Sequence, residues 1–187
     1  MRLFALAASL RAGSLNRKLL HVAAGLARDH GAEVDVADFS EFTLPYFDAD
    51  LQARDGIPEA AQALGRRLLA ADGMLLASPE YNFSLPGHLK NTIDWLSRIR
   101  PVPIRGKSAL LLSASTGPIG GIRGLWQLRI PLEGLGMHVH PDMYIVPHGN
   151  DAFTPDGGLK DLKAAERLDG LIRDYVAVAR ALAGRER

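Results

Sequence analysis

Short apolar runs alternate with helical patterns along this chain, and that alternation constrains the fold more than any other feature. Residues 2–8, 74–77 and 108–113 are almost wholly apolar. Residues 33–37, Glu-Val-Asp-Val-Ala, alternate in character, and residues 139–146 form a fifth run interrupted by Pro141. A strand that is apolar at every position is buried on both faces, as in a parallel sheet covered by helices. The intervening segments carry the helical period. Leu19, Leu20, Ala23, Leu26 and Ala27 share one face over 16–28. Pro58 can open a helix running to about residue 71. Residues 89–97 follow Pro86-Gly87, and 122–135 carry a helical pattern broken by Pro131 and Gly134. Leu162, Ala165, Leu168, Leu171, Ile172, Tyr175 and Val178 mark a long last helix over 161–183. Residues 39–57, rich in Asp, Pro and aromatics, read as a loop, and 149–158 as a polar loop. The order βαβαβαβαβα predicts an α/β protein with a five-stranded parallel sheet between helices. At 187 residues it predicts one domain over 1–187.

In such sheets ligands bind outside the carboxyl ends of the strands. The loops after strands one, three and four are therefore the places to look. Composition narrows what they can hold. The chain has no cysteine, which excludes disulfides, thiolate metal sites, Fe–S clusters and a cysteine nucleophile. Chemistry must come from other side chains, the backbone or a bound cofactor. Lys plus Arg is 22 and Asp plus Glu 21, a net +1, which argues against a nucleic-acid binder and against an acidic carrier. No run approaches the roughly 20 apolar residues needed to span a bilayer. Residues 1–10 have the makeup of a short signal segment, yet the run is brief and meets Arg11 at once. It is read as a buried strand, and the chain is expected in the cytoplasm.

The loop Ser9-Leu10-Arg11-Ala12-Gly13-Ser14-Leu15-Asn16-Arg17 opens the first helix. Helix N-termini present unpaired N–H groups and partial positive charge, which suit a phosphate. Ser9, Ser14 and Asn16 can add hydrogen bonds and Arg11 charge. The loop carries neither G-x-x-x-x-G-K-[ST] nor G-x-G-x-x-G, and suits one terminal phosphate. The same residues also read as an ordinary capped helix with a solvated Arg11. The loop Ser78-Pro79-Glu80-Tyr81-Asn82-Phe83-Ser84-Leu85-Pro86-Gly87 is stiffened by prolines and places aromatics beside an amide. It suits a planar ligand with polar edges, or simply a rigid packed loop.

The stretch from Ser78 through Gly87 and on through His88-Leu89-Lys90-Asn91-Thr92-Ile93-Asp94-Trp95 closely resembles the signature of the NADPH-dependent FMN reductase family, which includes flavodoxin-like quinone, chromate and azo-dye reductases. Residues 9–16 resemble that family's phosphate loop, with Ala8 where Gly is usual. Ser115-Thr116-Gly117-Pro118-Ile119-Gly120-Gly121 resembles its third flavin loop. The resemblance spans about residues 2–146 and implies a flavodoxin-like three-layer sandwich. It implies that Ser9, Arg11, Ser14, Leu15 and Asn16 hold the FMN phosphate and ribityl chain. It further implies that Pro79, Glu80, Tyr81 and Asn82 line the isoalloxazine, and that Ser115, Thr116 and Gly117 meet its pyrimidine edge. The implied activity is ping-pong hydride transfer from NADPH or NADH through FMN to a quinone, flavin, azo or metal-oxyanion acceptor, by a homodimer or homotetramer. No catalytic side chain is required for the hydride step. A flavodoxin-type carrier without nicotinamide activity is the alternative; such carriers are strongly acidic, so the +1 charge favours the enzyme.

Other features carry less. His138-x-His140 has metal-compatible spacing but no third ligand nearby in sequence, and no metal is expected. Lys90 and Asp94 suit a solvent-facing pair. Trp95 reads as core or interface. Phe42, Tyr46 and Phe47 read as anchors for the 39–57 loop, with a neighbouring subunit's flavin as the other use. Arg123, Trp126 and Arg129 share one side of a helix, a grouping typical of interfaces.

Overall fold

The computed structural model describes residues 1–184. Its strands are β1 (Arg2–Ala7), β2 (Glu33–Ala37), β3 (Gly73–Ala77), β4 (Ser108–Ala114), β5 (His138–Val139) and β6 (Tyr144–Val146). Its helices are α1 (Leu15–Asp29), α2 (Ala49–Asp55), α3 (Glu59–Leu69), α4 (Gly87–Leu96), α5 (Ile122–Gly134) and α6 (Leu162–Ala183). All pairings are parallel, in the order β2-β1-β3-β4-β5, with β6 also on β4. The apolar runs sit where their composition demands. Every residue of β3 and β4 is buried, as is β1 after Arg2. Alternate residues serve opposite layers. Leu3, Ala5, Leu75, Leu110 and Leu112 pack with α1 and α6, whereas Phe4, Leu6, Leu76 and Leu111 pack with α3, α4 and α5. The result is the parallel sheet between helices that the pattern predicts, in the three-layer, flavodoxin-like form that the resemblance implies.

The expected fifth strand is split. His138–Val139 pairs with Ser108–Ala109, and Tyr144–Val146 with Leu112–Ala114, so both pieces lie along one edge of β4 and the sheet remains five strands wide. Pro141 has no N–H to give to a ladder, and His140 Nδ1 instead accepts from the N–H of Asp142 at 3.2 Å. Pro131 does not break α5. It removes one hydrogen bond in the last turn, where Gln127 is exposed to water.

The 39–57 segment is a correction, because it holds structure rather than plain loop. Phe39–Phe42 forms a 3-10 turn and Ala49–Asp55 forms α2. Acids in and just before the segment act as caps: Asp38 accepts from Ser40 N, and Asp48 from Asp50 N and Leu51 N. The segment is fastened to α4. Trp95 Nε1 and Asn91 Nδ2 both donate to the Pro45 carbonyl, at 2.8 and 2.9 Å, and Phe47 packs edge-on against Trp95. Phe42 and Phe47 therefore anchor, while Tyr46 stands exposed. Trp95 is core, fully buried, and Lys90 pairs with Asp94 at 2.7 Å. Among the described residues no helix is long and apolar enough to cross a membrane.

The chain moves outward on both sides from the neighbouring strands β1 and β3, which makes the crevice above their carboxyl ends the topological switch point. Ser9, Ser78 and Ser115 follow the ends of β1, β3 and β4 and meet at this edge.

Candidate functional site

A cleft of about 160 Å³, open to solvent, lies at this edge. It is lined by Ser9, Arg11, Ser14, Leu15, Asn16, Pro79, Glu80, Tyr81, Ala114, Ser115 and Thr116. Residues from all three loops are thus brought together. Two of the expected residues stand outside this lining. Asn82 is at the tip of a turn, and Gly117 lies behind Ser115, its N–H donating to the Ser115 hydroxyl at 3.1 Å. Ala114 joins the lining without having been expected.

The first loop combines free donors with a braced backbone. Ser14 caps α1, its hydroxyl accepting from Arg17 N at 3.3 Å. The N–H groups of Arg11, Leu15 and Asn16, all residues that line the cleft, find no acceptor among the described residues, so the helix start offers donors there. Arg11 is exposed and makes no ion pair among the described residues. Arg17 braces the loop from outside: its guanidinium donates to the Ser9 carbonyl at 3.1 Å and to Asp38 at 2.9 Å. Hydrogen bonds from Ser40 and the charge of Arg17 hold the Asp38 carboxyl below the usual range. Asn16 lines the cleft and also ties its wall together. Its amide, buried, donates to the Ala114 carbonyl and accepts from the Ala114 N–H, each at 2.9 Å. Ala8 is buried and takes no positive φ, so the methyl where Gly is usual fits without strain.

The second loop is a tight hairpin. Tyr81 and Ser84 exchange backbone hydrogen bonds at 2.9 and 3.0 Å across Asn82 and Phe83, whose φ values are 48° and 68°. Tyr81 is half-exposed beside His88, with ring centroids 6.1 Å apart. His88 joins the first two loops: Nε2 lies 3.3 Å from the Ala8 carbonyl, which can only accept. Glu80 lines the cleft, but its carboxylate engages Arg123.

The third loop is pinned from below. Ser115 N donates to the Val146 carbonyl at 3.0 Å, and Gly149 N to the Ser115 carbonyl at 2.9 Å. A side chain at Gly149 would come within 2.8 Å of Leu15 Cδ1, so glycine lets this segment close on the first loop. Gly149 was missed because its partner lies 134 positions away in a different loop. The donor set suits a phosphate at the α1 end, and Tyr81 with the Ser115–Thr116 edge suits a flat ring with polar rims. Among the described residues no cluster of three His, Asp or Glu side chains is suited to a metal ion. Trp126 and Ile130 on α5 are exposed, whereas Arg129 is tied to Glu133 and to the His140 carbonyl.

The model of the NADPH-dependent FMN reductase family matches residues 1–151. An NAD(P)H-dependent FMN reductase from Pseudomonas aeruginosa is 35% identical over 185 residues, covering 98% of each chain. A quinone reductase from Escherichia coli is 39% identical over 132 residues, covering 69% of this chain and 68% of that one. Among solved structures, a flavoenzyme NAD(P)H:(acceptor) oxidoreductase from Paracoccus denitrificans matches with a TM-score of 0.83 at 32% identity, over 96% of this chain and 97% of the other.

Proposed function

The chain belongs to the NADPH-dependent FMN reductase family, and from that premise we propose that the cleft above β1, β3 and β4 holds FMN and that electrons pass there from NAD(P)H to a quinone. The chain is an FMN-dependent NAD(P)H oxidoreductase. The carrying observation is the set of unpartnered N–H groups of Arg11, Leu15 and Asn16 at the start of α1 beside the exposed Arg11 side chain, with Tyr81 at another wall of the same cleft. Ser9, Arg11, Ser14 and Leu15 receive the phosphate and ribityl chain. Asn16 contributes by holding Ala114 and the first loop in register. Pro79, Glu80, Tyr81 and Asn82 form the ring-side loop, and Ser115, Thr116 and Gly117 the pyrimidine edge.

FMN, when bound, supplies a two-electron exchange that no side chain of a cysteine-free chain can carry. The protein's share is orientation. The α1 N-terminus fixes one end of the ligand by charge and hydrogen bonds, and the stiff 78–87 loop limits how the other end tilts. Flavins, azo compounds and metal oxyanions are further acceptors within this reading. A homodimer or homotetramer is part of it too, supported by exposed Phe83, Trp126 and Ile130. A steady-state panel on FMN-loaded protein tests the proposal, with NADH and NADPH against benzoquinone, free FMN, an azo dye and chromate. Parallel double-reciprocal lines with quinone support ping-pong transfer. No nicotinamide oxidation with any acceptor overturns it.

A further inference from the structure

Glu80 lies in the ring-side loop, yet its carboxylate is spent elsewhere and its side chain is only 9% exposed. Oε2 accepts the backbone N–H groups of Arg123 at 3.1 Å and Gly124 at 3.3 Å. Oε1 meets the Arg123 guanidinium, 2.7 Å from Nε and 2.5 Å from Nη2. Glu80 therefore caps α5 from another loop. The N-cap position of that helix is Gly121, which has no side chain to do so. A carboxylate there satisfies orphan donors and complements the helix dipole. The fit is close: a Cβ at Gly124 would stand 3.0 Å from Glu80 Cα and 3.1 Å from the Ser84 carbonyl oxygen. Arg123 also covers Phe83, its guanidinium carbon 4.1 Å from the ring centroid. Phe83 holds a φ of 68°, which a bulky side chain keeps only where its surroundings fix it.

The loop that carries Glu80 also gives Pro79 and Tyr81 to the cleft, and α5 follows the loop that gives Ser115 and Thr116. One carboxylate thus joins two walls. We infer that Glu80 is a positioning residue for the flavin ring: through Arg123 and the start of α5 it sets residues 79–81 against 115–117, and it leaves the phosphate end alone. This rests on the reading that the cleft holds FMN.

The test compares FMN with riboflavin, which lacks the phosphate, in fluorescence-quenching titrations of apoprotein, together with visible circular dichroism of the bound flavin. Glu80→Gln keeps the size but removes the charge facing Arg123, and Arg123→Gln leaves Glu80 its two backbone donors. Glu80→Gln should weaken FMN and riboflavin by the same factor, about tenfold, and alter the dichroism. Arg123→Gln should do so less. Native affinity and spectrum for both flavins in Glu80→Gln overturn the inference, as does a loss confined to FMN. If Glu80→Gln does not fold, Arg123→Gln decides by the same criteria. Wild-type apoprotein that binds neither flavin removes the FMN reading itself, a result distinct from any variant-specific one.

Discussion

Asn16 grips Ala114 with both ends of its amide, Nδ2 to the carbonyl oxygen and Oδ1 to the N–H, each at 2.9 Å. This couples the start of α1 to the end of β4, so the first and third loops cannot move independently. Asn16→Asp keeps the shape but sets a carboxylate oxygen against the Ala114 carbonyl. It should destabilise the fold by about 2 kcal/mol and weaken FMN by more than tenfold. Thermal melts and flavin titration check both; a normal melt with normal FMN affinity contradicts the coupling.

The proposed role of Arg11 at the phosphate end gives a prediction of its own. It is exposed and makes no ion pair among the described residues, so its charge is available at the mouth of the cleft. Arg11→Ala should weaken FMN tenfold or more, on the order of 1.4 kcal/mol, while riboflavin affinity stays the same. The FMN loss should shrink in high salt, where the wild-type contact is itself screened. Unchanged FMN affinity removes Arg11 from the site.

Tyr175 provides a contrast at the far end of β3. Its buried hydroxyl accepts from Met74 N at 3.1 Å and donates to Met74 O at 2.9 Å, with Ser108 Oγ 3.2 Å away. Burial pushes the phenol pKa up, so it stays a neutral donor. Tyr175→Phe leaves the Met74 groups without this partner and should cost about 2 kcal/mol in denaturant unfolding. FMN affinity should not change, because the contact lies at the opposite end of the strand from Ser78.

The pH dependence of stability follows from Asp35. Arg67 reaches its two oxygens at 2.7 and 3.0 Å. Those hydrogen bonds, with the charges of Arg67 and Arg2, hold the Asp35 carboxyl below its ordinary range against the opposing effect of burial. A depressed folded-state pKa gives a contribution that is complete above the unfolded value and lost as pH falls through the folded one. Asp35→Asn should therefore be less stable at neutral pH, by on the order of 1 kcal/mol; the gap should begin to close only as pH falls below about 4 and vanish once pH is under the lowered folded-state value. A gap independent of pH contradicts this origin.

The parallel sheet between helices was legible because a buried parallel strand must be apolar on both faces, as β3 and β4 are. The start of α1 was legible because a helix start is a local pattern, and Ser14 does cap it. What was not legible depends on distant partners. The roles of Asn16 and Glu80 are set by Ala114, 98 positions on, and by Arg123, 43 positions on. No local spacing encodes such pairs. The 39–57 segment hid a helix because its Asp, Pro and aromatic residues read as a loop, although Asp48 sits where a cap belongs.

The central claim, that flavin in this cleft takes electrons from a nicotinamide, is tested most directly by anaerobic rapid mixing of FMN-loaded protein with NADPH. The account predicts that the visible absorbance of the oxidised flavin bleaches in one phase at a rate that saturates with NADPH, and returns when benzoquinone is added. Absorbance that stays oxidised over minutes with both NADPH and NADH would contradict it.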